Sequence, residues 1–364
     1  MVSGFWVNRT VVVTGGLGFI GGNLVRRLVA LGARVTVVDA LAAGGGGRID
    51  NVADVADRIE VVVRDLAQAD RLDPIFRRAE IVFSLAAATN HLGGMQNPTA
   101  DLDSNCRAQL GLLEALRRVR QDVKVVVGGT RQIYGRPGQL PVDESHRIRP
   151  IDINGVHFHA VEEYFRLYRE VHGVRSTVLR MTNTYGPGMS LETGCHGVVA
   201  TLLARAFHSR PIELFGGGSQ RRDFNYVDDV VDALLAAAQL PMDEFDVFNL
   251  GHRIDYSLGE LAAMIARRLP TEVRSVPFPE DRRRIDIGDY RGDYRRFNAA
   301  VGWRPIVDLE AGLDRTIEHY RRCGFGDVAR RHLRSPGRRS VPLPFAPTVL
   351  GPGTDDFNQL PSPA

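Results

Sequence analysis

Three glycines at a fixed spacing, followed by an acidic residue, carry the strongest chemical signal in the sequence. Gly15, Gly18 and Gly21 lie between the apolar run Thr10–Thr14 and a helical pattern. Glycine permits a tight turn and close approach of backbone N–H groups to a pyrophosphate, and the helix N-terminus adds its positive end. Asp39 ends the second apolar run, where a carboxylate accepts hydrogen bonds from an adenosine ribose and repels a 2′-phosphate. The pattern predicts NAD rather than NADP, bound by Gly15, Gly18, Phe19, Ile20, Gly21 and Asp39.

Further cofactor contacts are expected where the next two apolar runs end. Asp65 and Leu66 end the third run, a position from which an aspartate reaches the adenine of a dinucleotide. Leu85, Ala86 and Ala87 end the fourth run, and small residues there let the cofactor pass close to the backbone. These five residues complete the cofactor site predicted from strand ends.

Short apolar runs alternate with helical patterns through the first half of the chain. The runs are rich in β-branched residues, and continuous apolar strands suit a parallel sheet that is buried on both faces. Helical patterns such as Asn23–Leu31 and Leu102–Val119 separate them. This alternation predicts the α/β class, a Rossmann doubly wound parallel sheet. The predicted strands are Thr10–Thr14, Arg34–Asp39, Ile59–Arg64, Ile81–Ala86, Val123–Val127 and Ser176–Arg180.

The pattern becomes less regular after Met181, where glycine and proline interrupt it often. We expect a Rossmann domain over residues 1–180, with segments near 223–250 returning to it. A smaller, interleaved α/β substrate domain is expected over 181–328. The arginine- and proline-rich segment 329–364 has too little apolar surface to order itself and is expected to be a flexible tail. Helices are predicted in the later part at Gly197–Ser209, Asp228–Ala238 and Leu258–Arg268.

Composition narrows the possible partners and compartments. A formal charge of +3 over 364 residues gives no indication of a nucleic-acid partner. Cys106, Cys195 and Cys323 are far apart and outside any metal-ligand spacing, which favours a reduced, cytoplasmic protein without a metal site. No charged start precedes an apolar run and no apolar stretch reaches about 18 residues, so neither a targeting segment nor a membrane span is expected.

The cofactor residues together with Asn105 resemble the extended short-chain dehydrogenase/reductases, and within them the NAD-dependent nucleotide-sugar epimerase/dehydratase family. The resemblance continues between about residues 8 and 322, in the segments Thr130-Arg-Gln-Ile-Tyr-Gly, Arg180-Met-Thr-Asn-Thr-Tyr-Gly-Pro, Phe215-Gly-Gly-Gly-Ser-Gln-Arg-Arg-Asp-Phe-Asn-Tyr-Val-Asp-Asp and Val301-Gly-Trp-Arg-Pro. It implies NAD contacts that include Asn105, a nucleotide-sugar substrate, and a homodimer formed through helices around residues 100–118 and 153–170.

The same resemblance implies a substrate site. Asn183 and Arg222 are expected at the phosphates of the sugar nucleotide, because a guanidinium fork pairs bidentately with phosphate oxygens. Arg283 or Arg284 is expected to be a second diphosphate ligand. The segment His91–Gly94 follows the fourth strand and should line the sugar pocket. The predicted substrate-binding residues are His91, Gly94, Asn183, Arg222 and Arg284.

The family's catalytic pattern fits this sequence only in part. That pattern has a serine or threonine, matched here by Thr130, and a Tyr-x-x-x-Lys on the following helix. Aligning the chain on Val161-Glu162-Glu163-Tyr164 puts Asn154 at the tyrosine and Phe158 at the lysine. Neither residue can act as a general base or carry a positive charge. Lys124, the one lysine of the sequence, lies at the opposite end of the strand that leads to Thr130.

Three interpretations of this site stay open. In the first, redox chemistry persists and another base replaces the tyrosine: His157 lies three residues after Asn154, and His159 and His91 are further candidates, since histidine titrates in the required range. In the second, the site abstracts a proton from a substrate that is already activated. In the third, the protein binds NAD or a sugar nucleotide and does no chemistry. The catalytic residues predicted on the first interpretation are Thr130, Asn154 and His157.

The residues after Thr130 separate the possible reactions. Dehydratases of the family carry an acid there, as do the glutamate-bearing decarboxylases, but this chain has Arg131 and Gln132. Epimerisation needs only reversible oxidation and rotation of a keto-sugar, so an NAD-dependent nucleotide-sugar epimerase, acting at C4, is the favoured prediction. A dehydratase, decarboxylase or dehydrogenase of the same family, or a catalytically silent binding protein, remains the alternative.

Overall fold

A computed structural model of the protein describes residues 4–42, 45–119, 122–191, 197–241, 243, 245–325 and the backbone of 348–349. The predicted flexible tail at 329–364 lies outside the described residues, apart from Thr348–Val349, whose backbone pairs with Val62 and Val63. Cys195 also lies outside them. Within the described part of the chain, no helix has both the length and the apolar composition needed to cross a bilayer.

The secondary structure alternates between strands and helices through the first half of the chain. The strands are β1 (Thr10–Thr14), β2 (Arg34–Asp39), β3 (Ile59–Val63), β4 (Ile81–Ser84), β5 (Lys124–Thr130), β6 (Arg175–Met181), β7 (Asn183–Tyr185), β8 (Ile212–Phe215), β9 (Arg221–Tyr226), β10 (Asp246–Asn249), β11 (Asp255–Ser257), β12 (Val273–Val276) and β13 (Thr348–Val349). The helices are α1 (Phe19–Ala30), α2 (Asp73–Arg78), α3 (His91–Gln96), α4 (Pro98–Leu102), α5 (Ala108–Val119), α6 (Ile153–His172), α7 (Val198–Phe207), α8 (Val227–Ala237), α9 (Leu258–Arg268), α10 (Glu280–Arg284), α11 (Arg295–Val301) and α12 (Leu309–Arg322).

A parallel sheet in the order β10-β6-β5-β4-β1-β2-β3 forms the centre of the fold, and the two-residue β13 is added at its β3 edge. Helices cover both of its faces. Val11 and Val13 of β1 pack into the apolar cluster that contains residues of α1 and α8, whereas Val12 packs into the cluster formed with α5 and α6. Each fully buried valine contributes about 1.5–3 kcal/mol through removal of apolar surface from water. The predicted α/β Rossmann fold is confirmed.

The later part of the chain builds a second layer and also returns to the sheet. β10 pairs with β6, and α8 and α11 contribute Leu234 and Phe297 to the same apolar cluster as β1. A separate cluster joins α7, α9 and α12 with β8, through residues such as Leu203, Ile265 and Leu313. Two small sheets, β11-β9-β7 and β12-β8, complete this region. The domain bounds given above stay predictions, although the return of β10 agrees with them.

One helix prediction differs from the structure in a way that matters for the site. The predicted helix Leu102–Val119 is divided: α4 ends at Leu102, a π-helical turn occupies Asp103–Arg107, and α5 begins at Ala108. A π turn places one extra residue in the helical spiral and redirects its side chains. Asn105 lies in this turn and bonds through its side chain to the backbone that follows β4. The apolar spacing of the segment gives no sign of this local change.

A buried ion pair fastens α6 to the sheet and supports a stability prediction. Arg180 of β6 donates to Glu162 of α6 at 2.7 and 3.0 Å and to the Tyr134 hydroxyl at 2.6 Å. Glu162→Ala leaves the Arg180 charge buried without its partner, so we expect the free energy of unfolding in urea to fall by about 3–5 kcal/mol. Glu163→Ala removes an exposed partner of Arg166 and should change it by less than about 1 kcal/mol. Equal losses in the two variants would contradict this assignment.

Candidate active site

The predicted glycine motif forms a cradle at the start of α1 in which Gly15 and Gly21 leave no room for a side chain. Gly15 has φ +68°, and a Cβ atom on it would lie 2.7 Å from the Ala86 backbone nitrogen. A Cβ on Gly21 would lie 2.2 Å from the Gly15 carbonyl oxygen. Gly18 is the N-cap residue of α1 and provides no side chain to cap the helix. The first turn, which includes Phe19 and Ile20, carries no acidic residue. The N–H groups of this helix end therefore suit an anionic diphosphate.

The acidic residue at the end of β2 lies directly beside this cradle. Asp39 is buried, and its two carboxylate oxygens accept from the backbone N–H of Leu17 at 3.1 Å and of Leu41 at 2.9 Å. Burial raises the pKa of Asp39, while the hydrogen bonds from Leu41 and Leu17 act in the opposite direction. This arrangement fits the ribose-binding carboxylate predicted from the sequence.

The other predicted cofactor residues lie at the same carboxyl edge of the sheet. Asp65 follows β3 and caps the next turn by accepting from the Ala67 backbone N–H at 2.9 Å, with Leu66 buried beside it. The backbone N–H groups of Leu85 and Ala86, after β4, donate to the Thr14 hydroxyl of β1 at 3.2 and 3.4 Å. Neighbouring strand ends are therefore fastened together, and Ala87 follows them as an exposed residue.

Beyond Ala87, a buried carboxylate joins the π turn to α6. Asp101 accepts from the Asn105 amide at 3.0 Å and from the Asn154 amide at 3.2 Å, and it lies 2.6 Å from Nδ1 of His157. The Asn105 and Asn154 amides also donate to the Ala88 carbonyl oxygen, at 3.1 and 2.7 Å. We call Ala88, Asp101, Asn105, Asn154 and His157 the Asp101 network. It holds the end of β4, the π turn and the start of α6 in one arrangement.

Gly94, predicted at the sugar pocket, lies against this network. A Cβ atom on Gly94 would approach the Asp101 carboxylate to 2.8 Å, so a larger residue there would displace this side chain. His91, at the start of α3, lies with Nδ1 3.0 Å from the buried carboxylate of Asp152, without the alignment of a hydrogen bond. Asp152 caps α6 by accepting from the Gly155 backbone N–H at 2.7 Å. Burial raises the pKa of Asp152. The contact with His91 and the hydrogen bonds from Gly155 and Gln132 outweigh this effect, so the pKa is lowered.

The two positions aligned with the family's tyrosine and lysine contain no titratable group. Asn154 is almost fully buried and its amide hydrogens are directed to the Ala88 carbonyl and Asp101. Phe158 is buried in an apolar cluster with Ile133 and Tyr134. Their alignment with the tyrosine and lysine stays a prediction, but neither side chain supplies a base or a charge.

The lysine and one of the alternative histidines are placed elsewhere. Lys124 begins β5, at the opposite end from Thr130, and donates to the Leu240 carbonyl oxygen at 2.7 Å. His159 lies two residues after His157, which on a helix turns its side chain by about 200°. Its Nδ1 is buried without a hydrogen-bond partner among the described residues, and the nearby charge is that of Glu162. Of the histidines on α6, His157 is therefore the one that belongs to the Asp101 network.

The predicted phosphate ligands come together with an arginine that the sequence analysis did not select. Arg131, directly after Thr130, donates to the Asn183 side-chain oxygen at 2.8 Å. Arg222 of β9 is buried and ion-paired with Asp286 at 2.8 Å, and burial together with the charge of Arg131 lowers the pKa of Arg222 to about 10. Arg131 directly follows β5, at the carboxyl edge of the sheet, where ligands of such sheets bind. This position is the signal from which the sequence could have identified Arg131.

The second predicted arginine does not join this group. The Arg284 side chain is 77% exposed and pairs with Glu280 on its own helix, α10. Arg283 is also exposed, and its carbonyl oxygen accepts from Arg136. The proposed second phosphate contact at this place stays a prediction. Among the described residues, no group of three or more His, Cys, Asp or Glu side chains is arranged to hold a metal ion.

A doubly wound sheet whose first turn is a glycine cradle and whose second strand ends in a buried carboxylate defines a dinucleotide-binding Rossmann protein. Comparison with known proteins gives the family. Residues 11–251 match the model of the NAD dependent epimerase/dehydratase family. The chain therefore belongs to this family, and its cofactor is NAD.

Individual relatives are similar over nearly their whole length. The UDP-glucose 4-epimerase of Mycolicibacterium smegmatis is 32% identical over 315 residues, which cover 85% of this chain and 98% of that protein. A solved structure of UDP-glucose 4-epimerase from Thermotoga maritima, with UDP-glucose, has a TM-score of 0.79 and 30% identity and covers 86% of this chain and 99% of that one. The UDP-glucose 4-epimerase of Thermus thermophilus, in complex with NAD, has a TM-score of 0.76 and 30% identity, covering 85% and 98%.

Proposed function

We propose that this chain is an NAD-dependent nucleotide-sugar epimerase that inverts carbon 4, in which Asn154 and Phe158 stand in place of the family's tyrosine and lysine. Relatives that it matches over nearly their whole length include proteins named as UDP-glucose 4-epimerases, which supports this reaction. Arg131 and Gln132 supply no acid after Thr130, where the family's dehydratases and decarboxylases carry one.

The observation that carries the proposal is the buried pair of His157 and Asp101. A carboxylate 2.6 Å from Nδ1 holds that nitrogen in its protonated form and leaves Nε2 as the basic nitrogen. The His157 side chain keeps 11% of its surface exposed, so the ring is not sealed inside the protein. An imidazole has its own proton-accepting nitrogen, so this role does not depend on a neighbouring lysine. This pair can therefore replace a tyrosine whose pKa is lowered by lysine.

Each residue of the site has a distinct part in this mechanism. The chemistry supplied by bound NAD is reversible hydride transfer at the sugar carbon. His157 takes the proton of the sugar hydroxyl and returns it after the keto-sugar has rotated. The Thr130 oxygen accepts from the Gln132 backbone N–H at 3.2 Å, which leaves its own hydrogen free to bind the sugar oxygen. Asn154 acts as a positioning residue, because its amide fixes Asp101 and through it the histidine.

A catalytically silent binding protein is the second candidate, and the packing of Phe158 favours it. Phe158, at the position aligned with the lysine that holds the nicotinamide ribose in the family, is packed in an apolar cluster and carries no charge itself. Loss of one acid–base group commonly lowers a rate by about 10²–10⁴-fold, so an enzyme without both groups needs a replacement. If His157 replaces the lost acid–base groups, the chain is an epimerase. If it does not, the chain is a silent binding protein.

Incubation of the NAD-loaded protein with UDP-glucose, followed by chromatography of the nucleotide sugars, tests the proposal. We expect UDP-galactose to form until the two sugars reach equilibrium. Thr130→Val keeps the shape of the side chain and removes its hydroxyl, and it should lower the rate by about tenfold or more. UDP-glucose that binds and is returned unchanged under these conditions, with UDP-glucuronate also unchanged, would establish the silent binding protein instead.

The proposal includes a cytoplasmic homodimer, and apolar side chains on the outer face of α6 support the dimer. Val156, Leu167 and Val171 recur at helical spacing and are 47%, 47% and 62% exposed. A double change of Leu167 and Val171 to glutamate should give a monomer in light scattering, because two charges cannot be buried in an apolar interface. Ile306→Glu, at an exposed apolar residue elsewhere, should leave the mass unchanged. A wild-type monomer, or a dimer that survives the double change, would contradict this interface.

A further inference from the structure

We propose that Arg131 binds a carboxylate on the sugar, so that the substrate is a nucleotide uronate, a sugar nucleotide oxidised to an acid at its terminal carbon. This inference rests on the proposed function, and it adds the class of sugar to it. It comes from a guanidinium that the fold holds in place but does not fully pair.

The Arg131 guanidinium has a hydrogen-bond partner for one of its terminal nitrogens but not for the other. One of its terminal nitrogens donates to the Asn183 oxygen at 2.8 Å, and the guanidinium lies over the ring of Tyr290 at 5.1 Å. Its other terminal nitrogen, Nη1, is out of contact with solvent and has no partner among the described residues. The Tyr290 hydroxyl is likewise buried without a partner. Two hydrogen-bond donors that belong to stacked groups therefore lack an acceptor.

The nearby carboxylates are committed to other groups. Asp223 accepts from the Thr182 hydroxyl and from the backbone N–H groups of His252 and Gly292. Asp286 pairs with Arg222. Asp152 accepts from the Gln132 amide and caps α6. These carboxylates leave Nη1 of Arg131 unpaired, and burial lowers the pKa of that guanidinium. An anion from the substrate is the group that would satisfy it.

The chain position of Arg131 favours the sugar end of the substrate over its diphosphate. Arg131 is the residue next to Thr130, where the sugar hydroxyl is proposed to react. It contacts Asn183, one of the two predicted phosphate ligands, through Nη2, which leaves Nη1 for the sugar end. A planar guanidinium pairs bidentately with a planar carboxylate, and such charge-assisted bonds are roughly twice as strong as neutral ones. A neutral hydroxymethyl group accepts a single weaker bond and leaves a buried donor unpaired, which lowers affinity.

Calorimetric binding of UDP, UDP-glucose and UDP-glucuronate to the NAD-loaded protein tests this inference without relying on turnover. We expect the wild-type chain to bind UDP-glucuronate about tenfold or more tightly than UDP-glucose. Arg131→Ala should weaken UDP-glucuronate by about 30-fold and leave the affinity for UDP unchanged. Tyr290→Phe keeps the ring, and it should weaken UDP-glucuronate by a smaller factor of about 3–10. Arg147→Ala, at an exposed arginine, controls for the change in net charge.

Each contrary result has its own meaning. Equal weakening of all three ligands by Arg131→Ala would make Arg131 a diphosphate ligand and overturn the inference. Preference of the wild-type chain for UDP-glucose would also overturn it, while leaving the epimerase proposal intact. Failure of the wild-type chain to bind either sugar nucleotide would instead overturn the proposed function. If Arg131→Ala does not fold, Arg131→Lys decides by the same comparison, because it keeps the charge and loses the fork.

Discussion

Replacement of His157 by asparagine is expected to lower the turnover number for the epimerisation by about 10²–10⁴-fold. Asparagine keeps a hydrogen-bond donor toward Asp101 but has no nitrogen that can take a proton from the sugar. The affinities for NAD and UDP should stay close to those of the wild type, because neither ligand depends on this ring. Initial rates give the first quantity, and calorimetric titration gives the other two.

A matched change on the same helix separates proton transfer from support of the fold. His159→Asn removes an imidazole two residues away whose Nδ1 has no hydrogen-bond partner among the described residues, so it should leave the rate nearly unchanged. An undiminished rate in His157→Asn, or loss of activity in His159→Asn alone, would remove His157 from the mechanism.

The second large effect is expected at the glycine cradle. Gly21→Ala places a Cβ atom 2.2 Å from the Gly15 carbonyl oxygen, and backbone atoms must move to accommodate it. Forcing an extra methyl group into such a contact costs about 1–3 kcal/mol, and the displaced loop no longer presents its N–H groups to the diphosphate. We expect the variant to be purified without bound NAD and to bind added NAD at least about tenfold more weakly.

Gly138→Ala is the control for this change. A Cβ atom on Gly138 meets no other atom within 4 Å, so this variant should melt and bind NAD like the wild type. Intrinsic fluorescence titration with NAD and thermal unfolding give both quantities. Wild-type affinity for NAD in Gly21→Ala would show that the cradle does not hold the cofactor.

The parts of the fold that depend on neighbouring residues could be predicted from the sequence. The glycine spacing, the valine-rich run before it and Asp39 after the next strand all lie within about one βαβ unit, and each was located correctly. The alternation of elements also predicted a parallel sheet covered by helices, but not the order of its strands. Strand ends differ by about one to three residues, because apolar composition does not mark where backbone pairing stops.

The contacts that define the candidate site are between distant segments, and periodicity carries no information about them. His157 and Asp101 are 56 residues apart, and the sequence analysis selected the histidine without its partner. Asp101 directly precedes the predicted helix Leu102–Val119, and the apolar spacing of that helix gives no sign of the π turn at Asp103–Arg107. The sequence argument used Arg131 only to show that no acidic residue follows Thr130. Its unmatched nitrogen becomes evident when Asn183 and Tyr290, from other elements, are placed around it.

The most direct test of the account is the fate of a label at the reacting carbon. UDP-glucose carrying deuterium at C4, and UDP-glucuronate labelled in the same way, are incubated with the NAD-loaded protein in ordinary water, and the epimers are examined by NMR. We expect the 4-epimer to keep its deuterium, because the hydride chemistry that bound NAD would supply does not exchange that hydrogen with water. Replacement of the deuterium by solvent hydrogen would contradict it and show that the site abstracts a proton from carbon instead.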